Sequence, residues 1–93
     1  MMVEVLLQEE RLREILSGVE GATEIVVWRE GIKLLGIVVS PAFAGKPEFD
    51  RQNEVWRLLL DALSDDEHAQ VAFVYTNTPE EKTEAEREAA SRG

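Results

Sequence analysis

A chain of 93 residues is long enough for one domain with a modest core, and its hydrophobic share of 44 % is ordinary for a globular protein. The sequence has no cysteine and one histidine, which excludes disulfides, thiolate metal sites, cysteine nucleophiles and sites needing two histidines from one chain. The formal charge of −9 lowers the expectation of binding to nucleic acid or anionic membranes, because both rely on cationic contacts. No apolar run reaches the length of a membrane-spanning helix, and the first residues lack the basic start of a signal peptide. We therefore expect the protein to be cytoplasmic.

The first predicted element is a helix over residues 5–19. Its apolar side chains recur at i, i+3, i+4 and i+7 and so share one face: Leu12, Ile15, Leu16 and Val19. Ser17-Gly18 predicts the helix end, because glycine accepts the left-handed conformation there.

Residues 23–29 and 32–40 predict two strands, because β-branched and aromatic residues dominate both. Glu30-Gly31 predicts a tight turn that makes them a hairpin, and Pro41 ends the second strand. Both faces of the hairpin carry apolar side chains: Val26, Trp28, Leu35, Ile37 and Val39. Either both faces are covered, or one is an exposed contact surface.

Residues 43–47 predict a loop or a short helical turn before the clearest helix of the chain, over residues 49–63. Its apolar stripe is predicted to face a core: Phe49, Val55, Trp56, Leu59, Leu60 and Leu63. Residues 64–67 predict a solvated turn, and residues 71–75 a third strand. Thr78-Pro79-Glu80-Glu81 predicts a last helix to about Ser91, with fraying expected because it has almost no apolar face.

The order α-β-β-α-β-α predicts an α/β (α+β) fold. Strands two and three are joined by a helical crossover and should run parallel, in a three-stranded mixed sheet with helices on one face. We expect one domain over residues 1–78, and a polar C-terminal helix or frayed tail over residues 79–93.

Few residues predict chemistry. Residues 18–21 have the GxxG spacing of KH loops, but they carry Glu20 and join a helix to a strand, which favours a simple turn. His68 is either a surface or capping residue, or one ligand of a metal shared with a partner. A weak basic face for nucleic acid would include Lys46, Arg51 and Arg57, although acidic neighbours favour ion pairing along the helix. No nucleophile is paired with a base, so no enzyme is expected.

Three stretches together resemble the BolA family. Residues 38–46, VVSPAFAGK, resemble the family's strand and loop "VVS-x-x-F-x-G-K". Arg51, Val55-Trp56 and Leu59 fall without a gap on its helix motif "R-H-R-x-V-[YF]-x-x-L", and Thr78-Pro79-Glu80-Glu81 is similar to its closing "T-P-E-E". The resemblance implies the BolA fold, whose topology is similar to that of type II KH domains.

The resemblance also implies a non-enzymatic role. BolA proteins pair with monothiol glutaredoxins, often around a shared [2Fe–2S] cluster, in iron–sulfur homeostasis, and some act as transcription regulators in the stress response. It places partner-binding residues on the loop and the helix after it: Phe43, Gly45, Lys46, Arg51, Gln52, Val55 and Trp56.

The departures from the family pattern fall on its histidines. Gln52 occupies the position of the histidine in "R-H-R", and the histidine that begins the third strand falls on Gln70 without a gap, or on His68 with a two-residue insertion. A shared cluster would then have His68 as its only ligand from this chain. The leading hypothesis is a divergent BolA-like adaptor with a glutaredoxin partner; the alternatives are a KH-like nucleic-acid-binding regulator and a structural homo-oligomer such as a homodimer.

Overall fold

A three-stranded mixed sheet organises the fold, in a computed structural model that describes residues 6–92. The elements in chain order are α1 (Glu9–Leu16), β1 (Glu24–Glu30), β2 (Lys33–Val39), a 3₁₀ turn (Pro41–Phe43), α2 (Glu48–Ala62), α3 (Asp65–His68), β3 (Val71–Asn77) and α4 (Pro79–Arg92). The strand order is β1-β2-β3, with β1 antiparallel and β3 parallel to β2. The predicted hairpin and mixed sheet are confirmed, and the predicted element order is confirmed apart from the short helix α3.

The core lies between one face of the sheet and helices α1 and α2. The sheet contributes side chains that include Val27, Leu34, Val38 and Val74, and the helices and the 3₁₀ turn contribute Leu12, Leu16, Phe43, Val55 and Leu59. Helix α1 approaches the sheet closely at Gly36, where an added Cβ would lie 3.2 Å from Leu16 Cδ1. Glycine in the central strand therefore lets α1 pack against the sheet.

Helix α1 is shorter than the sequence predicts. Residues 6–8 are not helical, and Val5 lies outside the described residues. The Leu7 backbone is held by tertiary contacts instead: Gln70 Oε1 accepts from Leu7 N at 2.8 Å, and the Arg29 guanidinium donates to Leu7 O. Gly18 follows the helix as predicted, but the left-handed glycine of this turn is Gly21, with φ 71°.

The predicted apolar stripe of α2 is correct only in part. Val55, Leu59 and Leu63 are buried, whereas Phe49 is 74 % and Leu60 64 % exposed. Phe49 and Leu60 are eleven residues apart, about three turns, so they share a side of the helix that is rotated away from the core. The prediction that these two residues face the core was wrong.

Residues 64–67 form more than a solvated turn. Ser64 caps the short helix α3: Ser64 Oγ accepts from Glu67 N at 3.2 Å, and Glu67 Oε1 accepts from Ser64 N at 2.9 Å. This reciprocal pair satisfies two backbone donors that a helix start leaves free. The backbone hydrogen bond to Ser64 is the main cause that lowers the pKa of Glu67.

Helix α4 begins with the predicted motif. Thr78 Oγ1 accepts from Glu81 N at 3.1 Å, and Glu81 Oε1 accepts from Thr78 N at 2.7 Å, with Pro79 in the first helical position. None of the residues of α4 from Pro79 to Arg92 is buried.

Within residues 6–92, no helix combines the length and apolar character that crossing a membrane requires.

Candidate partner-binding site

The loop after β2 is anchored by a buried serine. Ser40 Oγ donates to Glu20 O at 2.6 Å and accepts from Ala42 N at 3.1 Å, which starts the 3₁₀ turn and connects it to the loop after α1. Phe43 at the end of the turn is fully buried. Gly45, with φ 78°, turns the chain towards α2.

Arg51, on α2, bonds to the loop before α2 and to the first turn of α4. Its Nε donates to Lys46 O at 2.9 Å, and Nη1 and Nη2 donate to Glu81 at 2.7 and 3.3 Å. The guanidinium carbon also lies 5.6 Å from the centre of the Phe43 ring. The hydrogen bond from Arg51 is the largest cause that lowers the pKa of Glu81, followed by the bond from the Thr78 backbone. Because Arg51 is only 7 % exposed, its contacts stabilise the fold.

Gln52 connects α2 to the outer edge of β3. Its Nε2 donates to Val74 O at 2.9 Å and to Glu48 Oε1 at 3.0 Å, while its Oε1 accepts from Trp56 Nε1 at 2.9 Å. Arg51 reaches the next outward carbonyl, Thr76 O, at 3.4 Å. Two side chains of α2 therefore occupy two carbonyls of an edge strand, a position where an incoming strand would otherwise pair.

The Trp56 ring rests against the only histidine. The ring centres of Trp56 and His68 are 5.1 Å apart at an interplanar angle of 57°. His68 Nε2 is buried and has no hydrogen-bond partner among the described residues. Side chains that are fixed on one side by hydrogen bonds and on the other by ring packing lose little further freedom when a partner covers them.

Phe49 and Leu60 extend this region along the outer side of α2. We call the set of Phe49, Gln52, Trp56 and Leu60 the α2 outer stripe. Gln52 and Trp56 are half-buried, whereas Phe49 and Leu60 are largely exposed. A helix that presents apolar side chains to solvent at helical spacing is typical of a surface that contacts another molecule.

The residues predicted for partner binding therefore separate into two groups. Phe43, Arg51 and Val55 are buried and support the loop and helix from below. Gly45, Lys46, Gln52 and Trp56 reach the surface at least in part. Sequence analysis missed Phe49 and Leu60, although their spacing of about three turns from each other was a usable signal. It also missed Glu81 as the partner of Arg51, a tertiary contact with no local signature.

The three cations considered for nucleic acid each lie beside carboxylates. Lys46 Nζ is 3.4 Å from Glu54, and Arg51 is bound by Glu81. Arg57 lines a groove of about 390 Å³ together with three acidic side chains: Asp50, Glu54 and Asp61. These neighbours dilute the positive potential that phosphate binding needs.

Metal ligands do not cluster in residues 6–92. No group of three or more His, Asp or Glu side chains there could hold an ion, and the chain has no cysteine. Both candidate positions for a family histidine at β3 are engaged: the Gln70 side chain binds Leu7 N and Asp66 O, and His68 packs on Trp56. Gln52 is a hydrogen-bonding amide. These donors do not fit a [2Fe–2S] cluster, which needs thiolates or imidazoles.

Comparison with solved structures places this geometry in a known group. A BolA protein homologue from Coxiella burnetii is 20 % identical, covers 83 % of this chain and 97 % of its own, and superposes with a TM-score of 0.67. BolA1 from Arabidopsis thaliana is 23 % identical over 85 % of this chain and 98 % of its own, with a TM-score of 0.63. The BolA domain of SufE1 from Arabidopsis thaliana is 28 % identical over 78 % of this chain and 93 % of that domain, with a TM-score of 0.59. The chain therefore has the BolA fold.

The BolA fold is found here although no protein-family model matches the sequence and no curated protein matches it. These solved BolA structures cover 78–85 % of this chain, in agreement with a sequence resemblance that extends over most of it. Buried Phe43 and Arg51 give that resemblance a physical basis, because both residues hold the loop against α2 and α4.

Proposed function

We propose that this chain is a non-enzymatic BolA-family adaptor that binds a protein partner, a monothiol glutaredoxin, through the α2 outer stripe. The observation that carries the proposal is the exposure of Phe49 and Leu60 on either side of Trp56, on one side of a helix whose other side is buried in the core. The glutaredoxin partner and a role in iron–sulfur and redox homeostasis are inferred from the resemblance to BolA proteins, and the cytoplasmic location is inferred from the sequence.

The α2 outer stripe has the properties of an interface centre. Tryptophan is enriched among the residues that dominate binding energy, and Trp56 is held in place by Gln52 Oε1 and the His68 ring. Burial of Phe49 and Leu60 by a partner would remove apolar area from water without the cost of reorganising α2. The stripe lies beside β3, whose carbonyls at Val74 and Thr76 are occupied, so a partner is expected to use side chains and not strand addition.

We further propose that the adaptor docks on its partner without ligating a cluster. The only imidazole has its Nε2 buried, and Gln52 holds Val74 and Trp56 where the family motif has a histidine. A glutaredoxin that carries a [2Fe–2S] cluster would then retain all of its own ligands in the complex.

The test mixes the purified chain with a monothiol glutaredoxin, with and without its cluster, and measures the mass of the complex and the visible spectrum. We expect a 1:1 complex whose cluster spectrum is unchanged, and an affinity that falls roughly tenfold or more in the double variant Phe49→Ala/Leu60→Ala. Ile32→Ala is the matched control, because Ile32 is an apolar side chain of similar exposure in the β1–β2 turn. It should bind like the wild type.

Two results would contradict the proposal at different points. Absence of a complex, or equal loss of affinity in the control, would reject the glutaredoxin partner or the α2 outer stripe. A cluster spectrum that changes on mixing and reverts with His68→Ala would show that this chain supplies a ligand.

A further inference from the structure

The backbone of β1 has one side that faces no other strand. Ser40 N, directly after β2, donates to Asn77 O of β3 at 2.9 Å, so the even-numbered residues of β2 direct their N–H and C=O groups to β3. The odd-numbered residues of β2 therefore bond to β1, and the hairpin register sets Leu35 opposite Trp28. The groups that point away from the sheet belong to the odd-numbered residues of β1: Ile25, Val27 and Arg29. We call these three residues the β1 edge.

The β1 edge differs from the opposite edge of the sheet. Within residues 6–92, its three N–H and three C=O groups form no hydrogen bond. On β3, by contrast, the outward carbonyls of Val74 and Thr76 accept from Gln52 and Arg51. β1 also has no proline and no break in its register with β2, although both features commonly protect a strand edge. Among the described residues, the β1 edge is thus the edge that can still pair with a strand.

The spacing of these backbone groups specifies an extended backbone as the occupant. Ile25 and Arg29 are four residues apart, about 13 Å along a strand. A second extended backbone presents donors and acceptors at the same intervals and can bond to all six groups. A helix cannot, because its own N–H and C=O groups bond to one another. The occupant that fits the β1 edge is therefore an extended peptide segment that adds a strand.

Glu30 gives β1 a negative end. Its register partner is Lys33, but Lys33 Nζ donates to Ala69 O instead. Within residues 6–92, no cation forms an ion pair with Glu30, whose Oε1 accepts from Trp28 Nε1 at 3.4 Å. Opposite charges that face each other across two strands stabilise the pair. Glu30 thus favours a lysine or arginine at the facing position of an added strand.

The other end of β1 is also negative, and its middle is apolar. Glu24 lies 2.7 Å from Lys82, but Glu86 is 3.8 Å from the same ammonium, so two carboxylates share one cation. Between the two ends, Val26 is 40 % exposed and Trp28 is half-buried on one face of the strand. The matching segment is therefore cationic at its ends and apolar at the positions opposite these two side chains.

The β1 edge of a second copy of the chain matches this pattern poorly. In a twofold antiparallel pairing that uses all three residues of the β1 edge, Val27 lies opposite its own counterpart. The same register sets Glu24 opposite Glu30 at both ends, and like charges directly opposite each other destabilise a strand pair. A register shifted along the strand avoids this repulsion but pairs fewer residues of the β1 edge. We therefore expect the added strand to come from a different protein.

We propose that the β1 edge binds an extended segment of a partner protein, which pairs with β1 as an antiparallel fourth strand. The segment has lysine or arginine opposite Glu30 and Glu24 and apolar side chains opposite Trp28 and Val26. Antiparallel pairing is chosen because it is slightly more stable per residue than parallel pairing. β1 and β3 are opposite edges of the sheet, and the α2 outer stripe lies beside β3. The inference therefore does not depend on the glutaredoxin partner.

The test adds the peptide acetyl-Lys-Thr-Val-Thr-Val-Thr-Lys-amide to the isotope-labelled chain and follows amide hydrogen exchange by NMR. The lysines of the peptide fall opposite the two glutamates, and its threonines fall opposite the β1 edge. In the free chain, the amides of the β1 edge should exchange faster than those of Val26 and Trp28, which are bonded to β2. Saturating peptide should slow exchange at the β1 edge at least about tenfold and leave Val26 and Trp28 unchanged.

Two altered peptides separate strand pairing from charge attraction. Methylation of the three threonine nitrogens removes the donors that face β1, so this peptide should not slow exchange at the β1 edge. Glutamate in place of both lysines should weaken binding about tenfold at low salt, and less at high salt.

One protein variant tests the negative end of β1. Glu30→Gln keeps an acceptor for Trp28 Nε1 and should weaken binding of the lysine peptide about two- to fivefold. Glu88→Gln, an exposed position of α4, is the matched control and should bind like the wild type.

Three results would overturn the proposal. Unchanged exchange at the β1 edge with peptide at about 1 mM, the range of a weak interaction, would show that no strand is added. Equal binding of the methylated peptide would show that the contact is not strand pairing. Slow exchange of the β1 edge in the peptide-free chain would show that the edge is already covered, by a second copy if the protection increases with protein concentration and by the chain itself if it does not.

Discussion

Arg51 on α2 and Glu81 in the first turn of α4 form a two-pronged ion pair, with Nη1–Oε1 at 2.7 Å and Nη2–Oε2 at 3.3 Å. The same Glu81 carboxylate accepts from the Thr78 backbone and completes the start of α4. The Glu81 carboxylate thus caps the start of α4 and also attaches α4 to α2. This explains how α4, which has no buried residue between Pro79 and Arg92, is attached to the domain.

Replacement of Arg51 by alanine should destabilise the fold by about 2–4 kcal/mol. The substitution removes bonds to Lys46 O and Glu81 and the packing over Phe43, all from a side chain that is 9 % exposed. Urea unfolding followed by far-UV circular dichroism gives the value. Arg57→Ala, at an exposed position of the same helix, is the control and should stay within about 0.5 kcal/mol of the wild type. Equal losses in both variants would contradict the role given to Arg51.

Acid should weaken the fold in part through Glu81. Its folded pKa is depressed by Arg51 and the Thr78 backbone, so its contribution is complete above the unfolded value of about 4.3. That contribution is lost as the pH falls through the lower, folded pKa. Glu81→Gln should therefore be less stable than the wild type at pH 7, and the difference should shrink below about pH 4.

The pH experiment compares urea midpoints of the wild type and Glu81→Gln at several pH values from 7 to 3. Glu88→Gln, an exposed position of the same helix, measures the general effect of removing one carboxylate from an acidic chain. If the wild type were still more stable than Glu81→Gln by the same amount at pH 3, the ion pair would not be the cause of the difference in stability.

Replacement of Gln52 by glutamate, which has the same shape but a negative charge, should destabilise the fold. Gln52→Glu keeps an acceptor for Trp56 Nε1 but loses the donor to Val74 O and places a carboxylate near Glu48 Oε1. We expect a loss of about 1–3 kcal/mol at pH 7 in urea unfolding. The loss should be smaller at about pH 3, where protonation of the introduced carboxyl removes most of the repulsion. Asn53→Asp, at the next position and exposed, is the matched control; a similar loss there would mean that charge alone is responsible.

Local sequence signals predicted the elements of this fold well, and tertiary contacts account for the misses. Thr78-Pro79-Glu80-Glu81 starts a helix because its bonds lie within one turn. Gly31, with φ 62°, turns the hairpin, although the turn is Gly31-Ile32, one residue later than the predicted Glu30-Gly31. Residues 6–8, by contrast, are not helical, and Gln70, sixty-three residues away, binds Leu7 N there. No periodicity within residues 5–19 contains that information.

The candidate site was predictable to a similar extent. The resemblance places the candidate site on the loop at residues 38–46 and on α2, which stays a prediction, and it does not show which side chains of α2 are buried. Apolar residues at helical spacing look alike in sequence whether they face the core, as Val55 does, or the solvent, as Phe49 does. The angle at which α2 lies on the sheet determines which of its side chains face the core. The hydrogen bonds from Arg51 and Gln52 to β3 help to fix that angle.

Alanine substitutions at two glycines distinguish the loss of stability caused by backbone conformation from the loss caused by steric crowding. Gly21 and Gly31 both have positive φ, of 71° and 62°. A Cβ at Gly31 would meet nothing within 4 Å, whereas one at Gly21 would lie 3.0 Å from Ser40 Oγ. Gly31→Ala should therefore cost about 1 kcal/mol from conformation alone. Gly21→Ala should cost about 1–2 kcal/mol more, because it also disturbs the Ser40 bonds that hold the loop before α2. Urea unfolding of the two variants measures the difference, and equal costs would show that Ser40 gives way without loss.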